Sequence, residues 1–387
     1  MNVKSRRGRS KQGSRDVLTD RNQLVRHSLG SKESASTAVN IARENFMELT
    51  RRDLFKGSAA IAALSAMSSV PKAAEGPLPS WNDGPAKKAI TDFVHTTTGH
   101  LSPRFVPKEE RIATLDQDGT LWVEHPIYSQ VVFALDRVVA LAPKHPEWKT
   151  TEPFRSVLSD DKEAMAGFTL PDLEKIVFAT HTGMSVESFQ TTVKDWTAKA
   201  KDRRWKRPYT ELIYQPMLDM LEYLRENGYK TYIVTGGGQD FVRGYADKVY
   251  GVPLENIIGS ALDLHYTRNA ASDGILMRPP KLLLNNNFSG KPEDIYLFLG
   301  RHPKAAFGNS TGDQQMLEYT QAGGGATLTM MVLHDDADRE YACGPANGLP
   351  DTKVGTFTPV LYDEAKRKGW SVISMKNDWK RIFAFDN

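Results

Sequence analysis

The chain has 387 residues, of which 40% are hydrophobic and 25% are charged. That composition is ordinary for a globular protein and excludes fibrous, collagen-like and wholly disordered classes. The formal net charge is +3, but residues 1–46 hold a large share of the Lys and Arg, so the remainder is closer to neutral and no nucleic-acid partner is expected. A single cysteine, Cys343, excludes an intramolecular disulfide and a Cys2His2 zinc site.

A targeting signal is predicted in residues 47–74. Arg51 and Arg52 are followed by an apolar run, 57–70, that is too short to span a bilayer, so no stable membrane anchor is expected. The pattern resembles a twin-arginine export signal, which implies recognition by the export machinery and a periplasmic or secreted protein. Residues 1–46 precede Met47 and are predicted to be a disordered extension or a start-site artefact.

Five β-branched or apolar runs follow residue 75, and amphipathic stretches separate them. This alternation is typical of a parallel sheet with crossover helices, so we predict an α/β fold with a Rossmann-like parallel sheet. The predicted strands are 111–116, 230–235, 257–264, 304–309 and 326–333, and the predicted helices include 215–227 and 241–249.

The segment between the first two predicted strands carries helical patterns and no comparable strand. Two of its helices are predicted at 129–141 and 170–180. We therefore predict a helical cap over residues 125–208, inserted into a core made of residues 75–124 and 209–387.

Two carboxylates, Asp116 and Asp118, follow the first predicted strand and are succeeded by the turn formers Gly119 and Thr120. Ligands of open α/β sheets bind at the carboxyl ends of the strands. In a turn, two such acids can converge on one ligand, where one attacks and the other exchanges a proton with the leaving group. Because like charges at this spacing repel, a hard cation is expected between them, and Mg²⁺ is the usual one.

The sequence DQDGT after an apolar strand resembles the first signature of the haloacid dehalogenase-like phosphatases. The resemblance implies a Ser or Thr at the end of the next strand, where Thr235 and Gly236 stand, and their hydroxyl and backbone N–H groups would hold phosphoryl oxygens. It also implies a lysine beside the nucleophile. Lys291 is favoured by its Gly-Lys-Pro context, and Lys281 is the alternative.

The resemblance further implies an acidic loop that completes the metal site, and residues 308–313 match this loop with one departure. Asn309 stands at a position more often held by aspartate. The metal would then be held by Asp116, the main-chain carbonyl of Asp118 and Asp313, with Asn309 as a neutral ligand or water holder. Weaker Mg²⁺ binding is the expected consequence.

Together these motifs imply hydrolysis of small phosphomonoesters through an aspartyl-phosphate, with Asp116 as nucleophile and Asp118 as general acid and then base. The position of the insertion most resembles that of phosphoserine phosphatases. Glu124 is a candidate contact for a substrate ammonium group, and a solvent-exposed or locally paired acid is the alternative.

Other interpretations of the sequence stay open. A dehalogenase or phosphonatase could use the same fold, and a non-catalytic phosphate-binding module could retain the scaffold. The charged run 334–339, which follows the fifth predicted strand, belongs either to the site entrance or to a solvated loop.

Overall fold

Short apolar runs form the strands of a central sheet in the computed structural model, which describes residues 76–269 and 272–386. The predicted extension and export signal lie outside these residues. The strands are β1 (Ile112–Leu115), β2 (Lys230–Gly238), β3 (Ile257–Leu262), β4 (His265–Asn269), β5 (Ser272–Met277), β6 (Leu282–Leu284), β7 (Ala305–Gly308), β8 (Leu328–Leu333) and β9 (Ser371–Ser374).

The main sheet has the strand order β6-β3-β2-β1-β7-β8-β9. All neighbours are parallel except β6, which runs antiparallel to β3 at one edge. The predicted α/β fold with a Rossmann-like sheet is confirmed. The chain passes from β1 to β2 on one side and later returns to β7 on the other, which opens a crevice at the carboxyl end of β1.

The helices are α1 (Pro85–Thr98), α2 (Ser129–Leu141), α3 (Phe154–Leu158), α4 (Lys162–Ala166), α5 (Leu170–His181), α6 (Val186–Thr197), α7 (Gln215–Glu226), α8 (Gln239–Val242), α9 (Ala246–Tyr250), α10 (Gly290–Leu299), α11 (Gln314–Ala322), α12 (Pro359–Lys368) and α13 (Met375–Asp378). In the described part of the chain, no helix combines the length and apolar character that a bilayer crossing requires.

Alternate residues of the strands enter two separate apolar cores, one on each face of the sheet. Ile233 and Phe307 join the core shared with α1 and α7, whereas Val234 and Ala306 join the core shared with α10, α11 and α12. Burial on both faces explains why these strands appear in the sequence as nearly continuous apolar runs. The result is a sheet enclosed between two layers of helices.

The prediction of one continuous helix over residues 241–249 is wrong. The structure has two short helices there, α8 and α9, separated at Arg243–Tyr245. Gly244 lies in the gap, and a Cβ at this position would come within 2.5 Å of Val193 Cγ1 in α6. The helix is therefore interrupted at Gly244, a residue of low helix propensity, where α6 packs closely against the backbone.

Residues 125–208 contain α2 to α6, and no strand lies among them. Part of this segment encloses its own apolar cluster, which includes Val138, Trp148, Phe154 and Ile176. Phe133 and Phe189 instead join the core beneath the sheet. Whether the segment is a separate cap domain stays a prediction.

The antiparallel pair β4–β5, the edge strand β6 and the last strand β9 were not among the predicted strands. They are short, and their faces are partly exposed, so they lack the long apolar run that marks the central strands.

Candidate active site

The carboxyl ends of three neighbouring strands bring the predicted motifs to one edge of the sheet. Asp116 follows β1, Thr235 lies in β2, and Asn309 follows β7. The amide of Asp116 donates a hydrogen bond to the carbonyl of Phe307 at 2.9 Å, which continues the β1–β7 ladder by one residue. The backbone of Asp116 is therefore positioned by main-chain pairing on the sheet.

Lys291, in the first turn of α10, lies between two carboxylates. Its Nζ is 2.5 Å from Asp116 Oδ1, 2.6 Å from Asp313 Oδ1 and 2.8 Å from the carbonyl oxygen of Val234. The residue is only 1% exposed. Lys281, the alternative, has an exposed side chain that pairs with Asp263 at 2.8 Å. Of these two lysines, Lys291 is the one beside Asp116.

Asp118 stands at the turn after β1, where Trp122 Nε1 donates to its Oδ1 at 2.7 Å. Gly119 has a φ of +75°, and a Cβ there would come within 2.2 Å of Asn309 Nδ2. Glycine thus satisfies both the left-handed backbone and the close approach of the next loop.

Asp313 closes a one-turn 3-10 helix, Thr311–Asp313, before α11. Its Oδ2 accepts hydrogen bonds from the amides of Asn309 at 2.9 Å and Ser310 at 3.0 Å, while its Oδ1 faces Lys291. Both oxygens are thereby oriented, and the carboxylate is rigidly placed opposite Asp116.

Asn309 and Glu124 form a buried pair. Asn309 Nδ2 donates to Glu124 Oε1 at 2.8 Å, and Asn309 Oδ1 accepts from the hydroxyl of Thr120 at 3.0 Å. Burial raises the pKa of Glu124 well above its usual range, against the opposing effect of His334. Glu124 borders the site, but these contacts are to the protein, so its role as a substrate contact stays a prediction.

The acids of the site are short of positive charge. Burial, followed by the nearby Asp313, raises the pKa of Asp116 to about 7 despite the contact with Lys291. Burial raises the pKa of Asp118 to about 6. When all three carboxylates are ionised, one ammonium group leaves two negative charges uncompensated, and oxygen donors of this kind suit a divalent cation such as Mg²⁺.

The glycine-rich end of β2 borders the same space. Thr235 Oγ1 accepts a hydrogen bond from the amide of Gly237 at 3.0 Å, and Gly236 is exposed. The amide of Gly238 donates to Gln130 Oε1, on α2, at 2.7 Å. Gln130 thus joins the inserted helices to the predicted phosphate-binding segment.

A cavity of about 400 Å³ lies over these groups. Asp116, Asp118, Thr235, Gly236, Lys291, Asp313 and Glu124 all line it. Asn309 does not, because its side chain is turned towards Thr120 and Glu124. The remaining wall comes mainly from the inserted helices α2 and α5 and from the edge of the sheet, through Val131, Leu173, Val177, Phe178, Leu262 and Leu282.

The residues of this wall, and also Gln130, His181 and Arg278, were not predicted from the sequence. Leu173 and Val177 are four residues apart on α5, so they share a helix face. That spacing was a signal for an apolar face, but it does not reveal what the face covers.

The charged run 334–339 does not line the cavity. His334 lies behind the turn after β1, with Nε2 at 2.7 Å from the carbonyl of Gly119. Asp336 is buried and bonds to Arg339, which donates to main-chain carbonyls near the end of the chain, those of Met375 and Trp379 among them. The run is therefore neither part of the site entrance nor a solvated loop. It packs behind the turn after β1 and holds the C-terminal segment in place.

Solved structures with similar folds were found at low sequence identity. A protein of unknown function from Anaerococcus prevotii DSM 20548 is 15% identical, with 64% of this chain and 85% of that chain covered and a TM-score of 0.45. One from Bordetella pertussis Tohama I is 16% identical, with 68% and 98% covered and a TM-score of 0.42. A phosphoserine phosphohydrolase-like protein from Francisella tularensis subsp. tularensis SCHU S4 is 15% identical, with 58% and 88% covered and a TM-score of 0.33.

No curated protein matches the sequence significantly. The haloacid dehalogenase-like hydrolase family, by contrast, matches residues 113–318, more than half of the chain, from β1 into α11. The matched region contains the carboxylates, the lysine and the glycine-rich segment described above. The chain belongs to the haloacid dehalogenase-like hydrolase family.

Proposed function

We propose that this protein is a Mg²⁺-dependent phosphomonoester hydrolase that acts on small phosphorylated metabolites through an aspartyl-phosphate. The observation that carries the proposal is the buried arrangement of Asp116, Lys291 and Asp313, with the second acid, Asp118, two residues from the first. Membership of a hydrolase family supports the same class of reaction.

In the first step, an oxygen of Asp116 attacks phosphorus and the bond to the leaving alcohol breaks, while Asp118 donates a proton to that alcohol. In the second step, Asp118 takes a proton from the water that attacks the aspartyl-phosphate, and inorganic phosphate leaves. Lys291 and the hydroxyl of Thr235 stabilise the charge on the phosphoryl oxygens. The raised pKa of Asp118, about 6, suits an acid that alternates between the two roles near neutral pH.

Asp116, the main-chain carbonyl of Asp118 and Asp313 would hold Mg²⁺. The bound cation would neutralise phosphoryl and carboxylate charge that Lys291 alone leaves uncompensated. Asn309 is bonded through both ends of its amide to other side chains, so a direct contact with the cation would require it to turn.

Asp118 favours a phosphatase over a dehalogenase, because a departing halide needs no proton. A dehalogenase substrate also carries no phosphate dianion that calls for a metal. A phosphonatase would cleave a carbon–phosphorus bond on the same scaffold, and a non-catalytic phosphate-binding module would cleave no bond. The oriented carboxylates of Asp116 and Asp313 favour turnover over simple anion binding, since an anion site lined by acids would repel its ligand.

The proposal is tested by release of inorganic phosphate from a panel of phosphomonoesters, phosphoserine included, by the purified full-length chain with Mg²⁺ or EDTA. We expect Mg²⁺-dependent turnover that falls by at least about 10⁴-fold in Asp116→Asn. Asp92→Asn, an exposed acid on α1, is the matched control and should retain activity. Absence of turnover on every ester would instead favour a phosphonatase, a dehalogenase or a binding module.

We also propose export by the twin-arginine route, on the strength of the sequence signal alone. Cell fractionation of a tagged chain tests this proposal. Arg51→Lys together with Arg52→Lys should retain the protein in the cytoplasm, whereas an equal distribution of both forms would contradict it.

A further inference from the structure

The outer wall of the cavity is apolar, whereas its floor, formed by Asp116, Lys291 and Asp313, is charged. Val131 of α2 and Leu173, Val177 and Phe178 of α5 face the cavity from the inserted helices. Leu262 and Leu282 face it from the strands at the edge of the sheet. A leaving group attached to a phosphoryl group on the floor would therefore lie against aliphatic and aromatic side chains.

Three polar side chains of this wall are already hydrogen-bonded within the protein. Gln130 accepts from Gly238, and the two ring nitrogens of His181 face Thr180 Oγ1 at 2.8 Å and Gln130 Nε2 at 3.3 Å. Arg278 donates to the carbonyl of His181 and pairs with Asp240. Burial lowers the pKa of His181 to about 3, so its ring is uncharged.

We propose that the enzyme selects phosphomonoesters with an uncharged, largely apolar leaving alcohol of about the size of an aromatic ring. This inference rests on the proposed phosphatase function. Phosphoserine fits the apolar part of the wall poorly, because its ammonium and carboxylate groups would lose water against Leu173, Val177 and Phe178. An apolar group would instead gain the free energy of leaving water.

The test compares kcat/KM for 2-phenylethyl phosphate, ethyl phosphate and phosphoserine in Mg²⁺. All three release primary alcohols, so intrinsic reactivity differs little between them. We expect 2-phenylethyl phosphate to exceed ethyl phosphate by about 50-fold and phosphoserine to rank last. Val177→Asn should reduce the 2-phenylethyl to ethyl ratio by about 5-fold or more. Val139→Asn, an exposed position on α2, is the matched control and should leave the ratio unchanged.

Equal kcat/KM for the three esters would overturn the inference and leave the phosphatase function intact. If no ester is hydrolysed, the phosphatase proposal fails and calorimetry decides the inference separately. Tighter binding of 2-phenylethylphosphonate than of ethylphosphonate would then support an apolar site, and equal binding would overturn it.

A second, independent observation concerns the buried carboxylate of Glu124. It is 2% exposed and lies between two glycines with left-handed backbones, Gly119 (φ +75°) and Gly355 (φ +63°). A Cβ at Gly119 would come within 2.4 Å of its Cδ, and one at Gly355 within 1.8 Å of its Oε1. Both glycines therefore leave room for this carboxylate beside Asn309.

His334 lies close to Glu124. His334 Nε2 is 4.0 Å from Glu124 Oε1, and the two nitrogens of His334 lie against oxygen acceptors on Gly119 and Glu340. Glu124 also lines the same cavity as Asp116 and Asp313.

We propose that Glu124 supplies to the cation site the negative charge that Asn309 lacks. The amide of Asn309 links this carboxylate to the loop that carries Asp313. An aspartate at 309 would instead place two carboxylates at hydrogen-bonding distance, so asparagine at 309 and glutamate at 124 fit each other.

Calorimetric titration of Mg²⁺ into the full-length chain tests this role without catalysis. Glu124→Gln should weaken Mg²⁺ binding by about 10-fold or more, and Asn309→Asp in the same chain should restore it to within about 3-fold. Glu174→Gln, an exposed acid at the cavity rim, is the matched control and should bind Mg²⁺ as the wild type does.

Unchanged Mg²⁺ affinity in Glu124→Gln, or no recovery in the double variant, would overturn this second proposal. If Glu124→Gln does not fold, the Mg²⁺ affinity of the single variant Asn309→Asp decides between the outcomes. A tenfold gain in affinity would show that the site lacked an acid and would overturn the proposal, whereas an unchanged or lower affinity would support it.

Discussion

The floor and the outer wall of the cavity are built by opposite rules. On the floor, Asp116, Lys291 and Asp313 are buried, charged and joined by short contacts at the ends of central strands. On the wall, Leu173, Val177 and their neighbours are apolar and only half-buried, and they belong to helices packed over the sheet.

This difference suggests that the floor carries out the reaction and the wall selects the substrate. Charged groups held by main-chain pairing cannot move without breaking several contacts, so the floor is suited to a reaction common to many esters. Half-buried apolar side chains contribute through contact area, and each can change with a modest effect. We therefore expect substitutions on the floor to abolish turnover and substitutions on the wall to change substrate preference.

The largest effect is expected for Lys291→Met. It removes the cation between two buried carboxylates, which we expect to lower the free energy of unfolding by about 3–5 kcal/mol and to abolish turnover. Lys281→Met, in an exposed pair, is the matched control and should leave both unchanged. Urea unfolding and phosphate release measure the two. Equal behaviour of the two variants would remove the distinction between a rigid floor and its surroundings.

Asp118→Asn should lower kcat/KM for alkyl phosphates by about 10²–10⁴-fold, because the leaving alcohol is no longer protonated. The loss should be much smaller for 4-nitrophenyl phosphate, whose leaving group departs as a stable anion. The measurement is the ratio of the two rates in each protein. A uniform loss on both esters would assign Asp118 a role in positioning rather than in proton transfer.

Metal-free stability should depend on pH through the raised pKa values of Asp116, about 7, and Asp118, about 6. The folded state binds these protons more tightly than the unfolded state, so their contribution is present at acidic pH and declines as pH rises towards 7. Mg²⁺ competes with the protons. It should therefore raise the midpoint of thermal unfolding more at pH 8 than at pH 5. An equal Mg²⁺ effect at both pH values would contradict this assignment.

The smallest effect is expected at Gln130, where the inserted helices meet the floor. Gln130→Leu leaves the amide of Gly238 without its acceptor and should lower kcat/KM by about 5–20-fold. Gln130→Glu retains an acceptor and should recover most of the loss. If both variants behave as the wild type does, the wall and the floor are not coupled through this bond.

Much of the fold followed from local pattern. The runs that became β1, β2, β3, β7 and β8 were predicted to within two residues at each end, apart from the extension of β2 to Gly238. Their apolar residues are contiguous because both faces of a central strand are buried. The edge strand β6 and the β4–β5 pair lack this signature because their faces are partly exposed. The division at Gly244 depends on contact with α6, some fifty residues away in sequence.

The sequence by itself determined which groups stand at the carboxyl ends of the strands, because a strand followed by a polar turn is encoded within a few consecutive residues. Sequence context favoured Lys291 over Lys281, but only the tertiary structure placed Lys291 against Asp116. It also decided that Asn309 turns to Glu124 and that apolar residues of α5 form part of the cavity wall. These contacts join residues that lie roughly 60 to 190 positions apart. No local periodicity specifies them, because they depend on how strands and helices pack.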